Sequence, residues 1–170
     1  MRDEDIVRLQ LGRTPRGFLK VATRCPLGMP ETIVTRPIVS ARRGIDEPYE
    51  PFPTVFWLTC PGAIKAVSAL EAEGWITKLE ERLAQDLDAQ KEYEEAAESY
   101  ADFRQSLLTE DRLRWVKAHR PSWYEVITES GIGGIKRGGT GLKCLHAHYA
   151  DYLARGKNPV GRWVYRLLRE

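Results

Sequence analysis

Hydrophobic residues in the first third of the chain fall in short runs that are separated by proline and glycine. The pattern predicts a helix over Asp3–Leu11, which Gly12 ends. It then predicts strands over residues 18–25, 31–39 and 54–60, and a loop over residues 41–53. The last strand is almost entirely apolar or β-branched, so we expect it to lie at the centre of a sheet and to be buried on both faces.

From residue 63 onward the apolar positions recur at helical spacing. We predict a helix over residues 63–73 and one long amphipathic helix over residues 75–107. The apolar stripe of the long helix consists of Ile76, Leu79, Leu83, Leu87, Tyr93, Ala97, Tyr100 and Leu107. Such a stripe indicates either core packing or a seam for a partner helix, which leaves self-association through this helix open. Thr109 is the predicted cap of a further helix that ends near His119.

The last forty residues begin with a glycine-rich segment, residues 131–141. A helix over residues 142–154 should follow, closed by Gly156, and a basic helix over residues 162–169 ends the chain. These elements together predict an α+β fold, in which several helices pack on a small, mostly antiparallel sheet. We expect a single domain over residues 1–170. Its parts are a strand-rich part (1–62), a helical arm (63–120) and a glycine loop with C-terminal helices (121–170).

Composition narrows the class of protein. The chain has 170 residues, of which 42% are hydrophobic and 29% charged, as in soluble globular proteins. No apolar run approaches the roughly 18–20 residues that span a bilayer, and the charged N-terminus lacks the apolar core of a secretory signal. We therefore expect a cytoplasmic protein that does not contact a membrane.

Charge is unevenly distributed along the chain. Residues 63–111 contain five Lys and Arg against thirteen Asp and Glu, whereas residues 112–170 contain twelve against four. The two segments either attract each other or face solvent. Alternatively, the basic segment meets a partner that carries phosphate.

Three cysteines are the main chemical clue. An odd number of cysteines without a signal peptide argues against a disulfide framework. Cys25 and Cys60 each end a predicted strand and precede proline, and Cys144 falls in the first turn of a predicted helix. His148 follows Cys144 at helical spacing and should share its face, whereas His146 should point the other way. If the sheet and this helix meet at one end, Cys25, Cys60, Cys144 and His148 converge as metal ligands.

Such a set is compatible with two kinds of centre. Three thiolates and one imidazole fit tetrahedral zinc, and three thiolates also fit a [4Fe–4S] cluster with one open iron. His148 would be a fourth ligand or a proton carrier, and His146 is the second candidate for acid–base catalysis. Two alternatives need no metal: three unrelated buried thiols, or a reactive Cys144 whose pKa is lowered by Lys143 and the helix N-terminus.

Glycines and cations near Cys144 indicate an anion site. Backbone N–H groups of a glycine-rich loop that leads into a helix can cradle a phosphate. Further donors are available from Lys136, Arg137, Thr140 and Lys143, and from a second cluster near the first strand, Arg13, Arg16 and Arg24. The predicted substrate is therefore an anionic, phosphate-bearing or nucleotide-like small molecule. A flexible connector and solvated surface cations would explain the same residues without a ligand.

The motifs carrying these residues are similar to those of a known family. They are Gly12-Arg13-x-Pro15-Arg16-Gly17, Arg24-Cys25-Pro26-x-Gly28-x-Pro30, Phe52-Pro53-Thr54-x-Phe56-Trp57-Leu58-Thr59-Cys60-Pro61, Gly131-Ile132-Gly133-Gly134, Lys143-Cys144-Leu145-His146-Ala147-His148 and Asn158-Pro159-Val160-Gly161. Together they resemble the bacterial family catalogued as domain of unknown function 501, over nearly the whole chain. The resemblance implies a single-domain cytoplasmic protein and supplies no catalytic residues.

Two functions of different classes follow. The first is a metal-dependent protein whose three-cysteine site orients an anionic substrate beside the glycine loop, with hydrolysis, sulfur transfer and desulfuration all left open. The second is a protein- or RNA-binding module in which the Cys/His site is a structural staple or buried thiols. Aromatic residues that would stack bases, or pack the core, are Trp115, Trp123, Tyr124 and Trp163.

Overall fold

The sheet from the first third of the chain is small and antiparallel, as predicted. A computed structural model describes residues 1–40 and 49–170. Its strands are β1 (Phe18–Arg24), β2 (Pro30–Thr35), β3 (Ile38–Ser40), β4 (Tyr49–Pro51) and β5 (Phe56–Leu58). Strands β1, β2 and β5 form one sheet in that order, and β3 and β4 form a separate pair.

Two strand predictions were wrong. Strand β5 lies at the edge of its sheet, while β2 takes the centre and pairs on both sides. Phe56 and Leu58 are nevertheless buried, because a helix near the C-terminus packs on β5. The strand predicted over residues 31–39 is divided before Ile38, where Pro37 cannot donate to a ladder. The predicted loop over residues 41–53 contains β4, and residues 41–48 lie outside the described part of the chain.

Helices make up most of the described chain. They are α1 (Asp3–Leu11), α2 (Pro61–Ala72), α3 (Trp75–Gln85), α4 (Leu87–Ser106), α5 (Glu110–His119), α6 (Pro121–Glu129), α7 (Leu145–Arg155) and α8 (Pro159–Leu167). Several predicted boundaries are confirmed. Gly12 and Gly156 end their helices in the left-handed conformation, and the Thr109 hydroxyl caps α5 by accepting from the Arg112 N–H at 3.2 Å. No helix in the described ranges is long and apolar enough to cross a bilayer.

The predicted long helix over residues 75–107 is two helices. Asp86 interrupts it with an extended backbone (φ −117°, ψ 97°), and its carboxylate accepts a hydrogen bond from the Ala89 N–H at 2.9 Å. An aspartate that can cap a new helix competes with continuation of the old one. Most of the predicted apolar stripe packs inward, and Leu79, Leu83, Tyr93 and Tyr100 belong to the main core. Leu87, at the start of α4, is 79% exposed, so its place in the stripe was wrong.

The main core lies between the three-stranded sheet and the helices. Helix α7 packs against β5, α8 packs against α7, and α4 contacts α8. Trp163 of α8 is buried in this core, so it packs there rather than stacking on a base. A smaller cluster forms around Ile38, Val116 and Ile127, with Trp123 and Tyr124 packed against it. The arrangement places the start of α7 beside β5 and α2.

Candidate functional site

Cys144 is the residue just before α7, not a member of its first turn. Its backbone is extended (φ −161°, ψ 122°), and the helix begins at Leu145. Helical spacing therefore does not relate Cys144 to the residues after it, and the predicted pairing with His148 was wrong. The Sγ atom of Cys144 instead lies 3.6 Å from Nδ1 of His146.

Glu71, near the end of α2, completes a group of three side chains. Its Oε1 atom lies 3.2 Å from Nδ1 of His146 and accepts a hydrogen bond from the Leu145 N–H at 2.7 Å. One ligand atom from each of Glu71, Cys144 and His146 lies within 4.8 Å of the other two, and all three residues are half-buried. Glu71 was not among the predicted site residues, because no spacing motif links a glutamate on α2 to a cysteine seventy-three residues later.

The contacts of Nε2 determine which ring nitrogen of His146 carries the hydrogen, and so whether Nδ1 can donate a lone pair. Nε2 lies 3.3 Å from the Ile64 carbonyl oxygen and 3.2 Å from the Ser68 hydroxyl. A carbonyl only accepts, so Nε2 carries a hydrogen. In the neutral ring, Nδ1 then presents a lone pair to the Cys144 sulfur and the Glu71 carboxylate. Three electron-pair donors in this arrangement need a cation between them, either a proton or a metal ion.

Both cations fit the geometry. The hydrogen bond with Cys144 raises the pKa of His146 to about 9, with a further contribution from the negative charge of Glu71 and against the effect of burial. For a metal, tetrahedral zinc with Zn–S near ~2.3 Å and Zn–N or Zn–O near ~2.1 Å separates S from N by ~3.6 Å and N from O by ~3.4 Å. The observed separations are 3.6 and 3.2 Å. Hydrogen bonding of the other ring nitrogen to a backbone carbonyl is also the usual second contact of a metal-bound histidine.

Two members of the group, Cys144 and His146, line a pocket of about 390 Å³. Residues Phe56, Trp57 and Leu58 of β5 contribute to its lining, as does Ile64 of α2. Lys143 precedes Cys144 directly, and the exposed Arg13 places its guanidinium 5.3 Å from the centre of the Trp57 ring. The predicted anion-binding residues Arg13 and Lys143 thus lie at the same pocket as Cys144 and His146.

The other two predicted cysteine ligands are not part of this group. The Cys25 N–H donates to the Met29 carbonyl in the turn after β1, at 3.0 Å. Cys60 precedes α2, and its N–H donates to the Glu31 carbonyl at 3.4 Å. Within the described ranges, neither cysteine belongs to a group of three side chains close enough to bind one metal ion. The expected zinc set of three thiolates is therefore not assembled, while the [4Fe–4S] cluster, which spans a larger distance, stays a prediction.

His148 is a core residue. It is 1% exposed, and its Nδ1 atom lies 3.2 Å from the side-chain nitrogen of Asn158, which also donates to the buried Asp151 at 3.1 Å. Burial lowers the pKa of His148 to about 4, so its ring is neutral at neutral pH. His148 does not line the pocket. Of the two predicted histidines, His146 is the one whose ring lies near the Cys144 sulfur.

Several of the predicted anion-binding side chains are engaged within the protein. Arg16 pairs with Glu50 and donates to the Ser40 carbonyl. Arg24 forms two hydrogen bonds with Asp3, at 2.8 and 2.9 Å. Arg137 donates from Nε to the Glu129 carbonyl at 3.1 Å. The remaining two, Lys136 (exposed) and Thr140 (half-buried), do not line the pocket of Cys144.

Backbone N–H groups of the glycine loop and of the residues that follow it bind anions, but these anions are the protein's own carboxylates. The Gly138 N–H donates to Glu94 at 3.1 Å and the Leu142 N–H donates to Glu80 at 2.6 Å. The Leu145 N–H at the start of α7 donates to Glu71. The acidic middle of the chain and its basic last third thus contact each other. These three N–H groups are bound to glutamates and are therefore not free to bind a phosphate.

Comparison with known proteins supports the resemblance seen in the motifs. A family model described as a protein of unknown function (DUF501) matches residues 21–166, which include all three cysteines and both His146 and His148. Searches of curated proteins and of solved structures gave no significant match. With nearly its whole length covered by that model, the chain belongs to the DUF501 family.

Proposed function

We propose that the protein is metal-dependent and that Glu71, Cys144 and His146 hold a divalent cation of the zinc type. The observation that carries the proposal is the position of Nδ1 of His146, which faces a sulfur at 3.6 Å and a carboxylate oxygen at 3.2 Å while Nε2 is fixed by a carbonyl. These separations match those between ligands of one tetrahedral ion. The site thus uses one of the three cysteines rather than all of them.

Three ligands suit a catalytic centre better than a structural one. Structural zinc sites are closed by four protein ligands, whereas a three-ligand site keeps one position open for water or a substrate oxygen, which the metal can activate. The thiolate of Cys144 and the carboxylate of Glu71 together balance a divalent charge. Arg13 and Lys143 then leave the pocket positive overall, which favours an anionic substrate. The reaction class we propose is metal-assisted hydrolysis.

Metal analysis of the purified protein and its variants tests the proposal. Purified without oxygen, the wild-type protein is expected to contain about one zinc-type ion per chain. The variants Glu71→Gln, Cys144→Ser and His146→Gln should each lose most of it, because each removes a ligand. Cys25→Ser and Cys60→Ser are matched controls that should retain it. Iron and sulfide with a broad absorption near ~400 nm, lost in all three cysteine variants, would instead support a [4Fe–4S] centre and overturn the zinc proposal.

A second function has its own supporting observation. Because Cys144 raises the pKa of His146 to about 9, a metal-free site would hold an imidazolium 3.6 Å from the Cys144 sulfur at neutral pH. That pair is the usual arrangement of a cysteine nucleophile, with His146 as the acid–base partner. Glu71 would then orient the imidazolium rather than bind a metal.

Alkylation of Cys144 by iodoacetamide distinguishes the two functions. A bound metal shields the sulfur, so the proposed metal site predicts that treatment with a chelator makes alkylation of Cys144 faster. The nucleophile alternative predicts fast alkylation that a chelator does not change and that His146→Gln slows by about tenfold or more. Cys25 and Cys60 provide internal references, followed by mass spectrometry of the same digests. A rate of Cys144 alkylation that changes neither with the chelator nor in His146→Gln would contradict both functions.

A further inference from the structure

We propose that the pocket beside Cys144 binds a small organic anion with an apolar body and a single carboxylate or phosphate head group. This inference deepens the proposed function by naming the class of its substrate. Binding itself depends on the walls and cations of the pocket, so it can be measured with or without the metal.

The walls of the pocket are mostly apolar. Leu11, Phe56, Trp57, Leu58 and Ile64 all contribute to its lining, and they come from α1, β5 and α2. Apart from the metal-site residues and the two cations, Thr54 is the one polar residue in the lining among the residues that the structure describes. Ribose hydroxyls and base edges would find few partners there, and unpaired polar groups of a ligand are costly to bury. An apolar or aromatic body fits these walls better than the nucleotide suggested by the glycine loop.

The charge of the pocket is positive. Arg13 and Lys143 are both exposed at the pocket, and no aspartate or glutamate is among the described residues that line it. Arg24 has its carboxylate partner in Asp3, whereas within the described ranges Arg13 contacts the Trp57 ring and Lys143 has no ion pair. These two cations are therefore available to a ligand. A guanidinium already lying over an indole ring is well placed to bind a carboxylate or phosphate head group.

The size of the pocket limits the ligand. Its volume of about 390 Å³ lies in the lower part of the roughly 300–1,000 Å³ range of small-molecule sites. A body of one or two fused rings with a single head group matches that volume. The head group at Arg13 and Lys143 would hold the body along the wall that ends at Cys144 and His146.

Calorimetric titration with a matched set of naphthalene derivatives tests the inference. The set comprises naphthalene carboxylate, naphthyl phosphate, the neutral carboxamide and naphthylmethylammonium, with adenosine monophosphate as the nucleotide arm. Each is titrated into chelator-treated protein and into protein loaded with zinc. We expect one or both naphthalene anions to bind in both forms. The carboxamide should bind about tenfold more weakly or worse, and the ammonium should not bind, because the difference lies in one charge-assisted contact.

Variants locate the binding site. Arg13→Ala and Lys143→Ala should each weaken binding of the anion by about tenfold. Both side chains are exposed, so neither change is expected to disturb folding. Arg8→Ala and Lys136→Ala remove exposed cations that do not line the pocket and should change the affinity by less than about twofold.

Each outcome bears on one proposal separately. Equal affinity for anion and carboxamide, equal effects of the pocket and control variants, or tighter binding of adenosine monophosphate than of the naphthalene anions would overturn the inference about the ligand. Anion binding by protein that takes up no metal would support the inference while refuting the metal centre. Stoichiometric zinc in a protein that binds none of the anions would support the metal centre and refute the inference about the ligand.

Discussion

Replacing Arg104 by methionine is expected to lower the free energy of unfolding by about 4 kcal/mol or more, because it leaves several buried carbonyls without a donor. Arg104 is fully buried, and its guanidinium donates to the carbonyls of Ile127 (2.6 Å), Pro53 (3.1 Å), Gly131 (3.3 Å) and Ser130. An unsatisfied buried carbonyl costs about 1–3 kcal/mol. The loss would consume much of the roughly 5–15 kcal/mol that stabilises a typical domain.

The surroundings of Arg104 explain how a buried cation is tolerated with no carboxylate contact among the described residues. Three of its four carbonyl partners lie at or just beyond the C-terminal end of α6, where helix carbonyls lack partners within the helix and carry partial negative charge. Burial lowers the pKa of Arg104 to about 10, so the group is still charged at neutral pH. The guanidinium therefore caps α6 and ties it to α4.

Urea denaturation followed by circular dichroism measures the effect, with two variants as references. Arg104→Lys keeps the charge but cannot spread its donors over four carbonyls. We therefore expect its free energy of unfolding to lie between that of the wild type and that of Arg104→Met. Arg114→Met removes an exposed arginine that pairs with Asp111, and should cost less than about 1 kcal/mol. Equal stability of Arg104→Met and Arg114→Met would show that the carbonyl contacts do not stabilise the fold.

Local sequence patterns predicted where helices and strands form more successfully than which elements pack against one another. The antiparallel sheet, α1, the Thr109 cap and the glycine that ends α7 all follow from signals within a few residues. The position of β5 does not, because an apolar strand can be covered either by other strands or by a helix. Here α7 covers it, and no local pattern distinguishes those two environments.

The candidate site shows how a small shift in a helix boundary changes the chemistry. The predicted helix began at residue 142, which would align Cys144 with His148. The actual helix begins at Leu145, so Cys144 is extended and meets His146. Glu71 entered the site only through packing of α2 against α7. The cysteine and the nearby cations could thus be selected from the sequence, whereas the partners of the thiol required the fold.

Replacing Gly161 by alanine is expected to destabilise the protein by about 3 kcal/mol or more, the upper part of the usual range for overpacking. A Cβ atom at Gly161 would lie 2.2 Å from the His148 carbonyl oxygen and 2.4 Å from Cβ of Tyr152. Both atoms belong to α7 and cannot move away by a rotamer change, so α8 would have to separate from α7. That movement would also strain Asn158, which accepts a hydrogen bond from the Gly161 N–H and donates to Asp151.

Gly62→Ala is the matched control, because Gly62 also lies in the first turn of a helix that begins with proline. The nearest atom to a Cβ at Gly62 is the Cys60 sulfur at 4.0 Å, which is ordinary contact. Alanine favours a helix over glycine by up to about 1 kcal/mol, so this variant should be as stable as the wild type or slightly more so. The same helix-forming gain applies at Gly161. A large loss of stability there, measured by the same urea titration, can therefore be attributed to the contact between α7 and α8, and equal stability of the two variants would show that these helices separate at little cost.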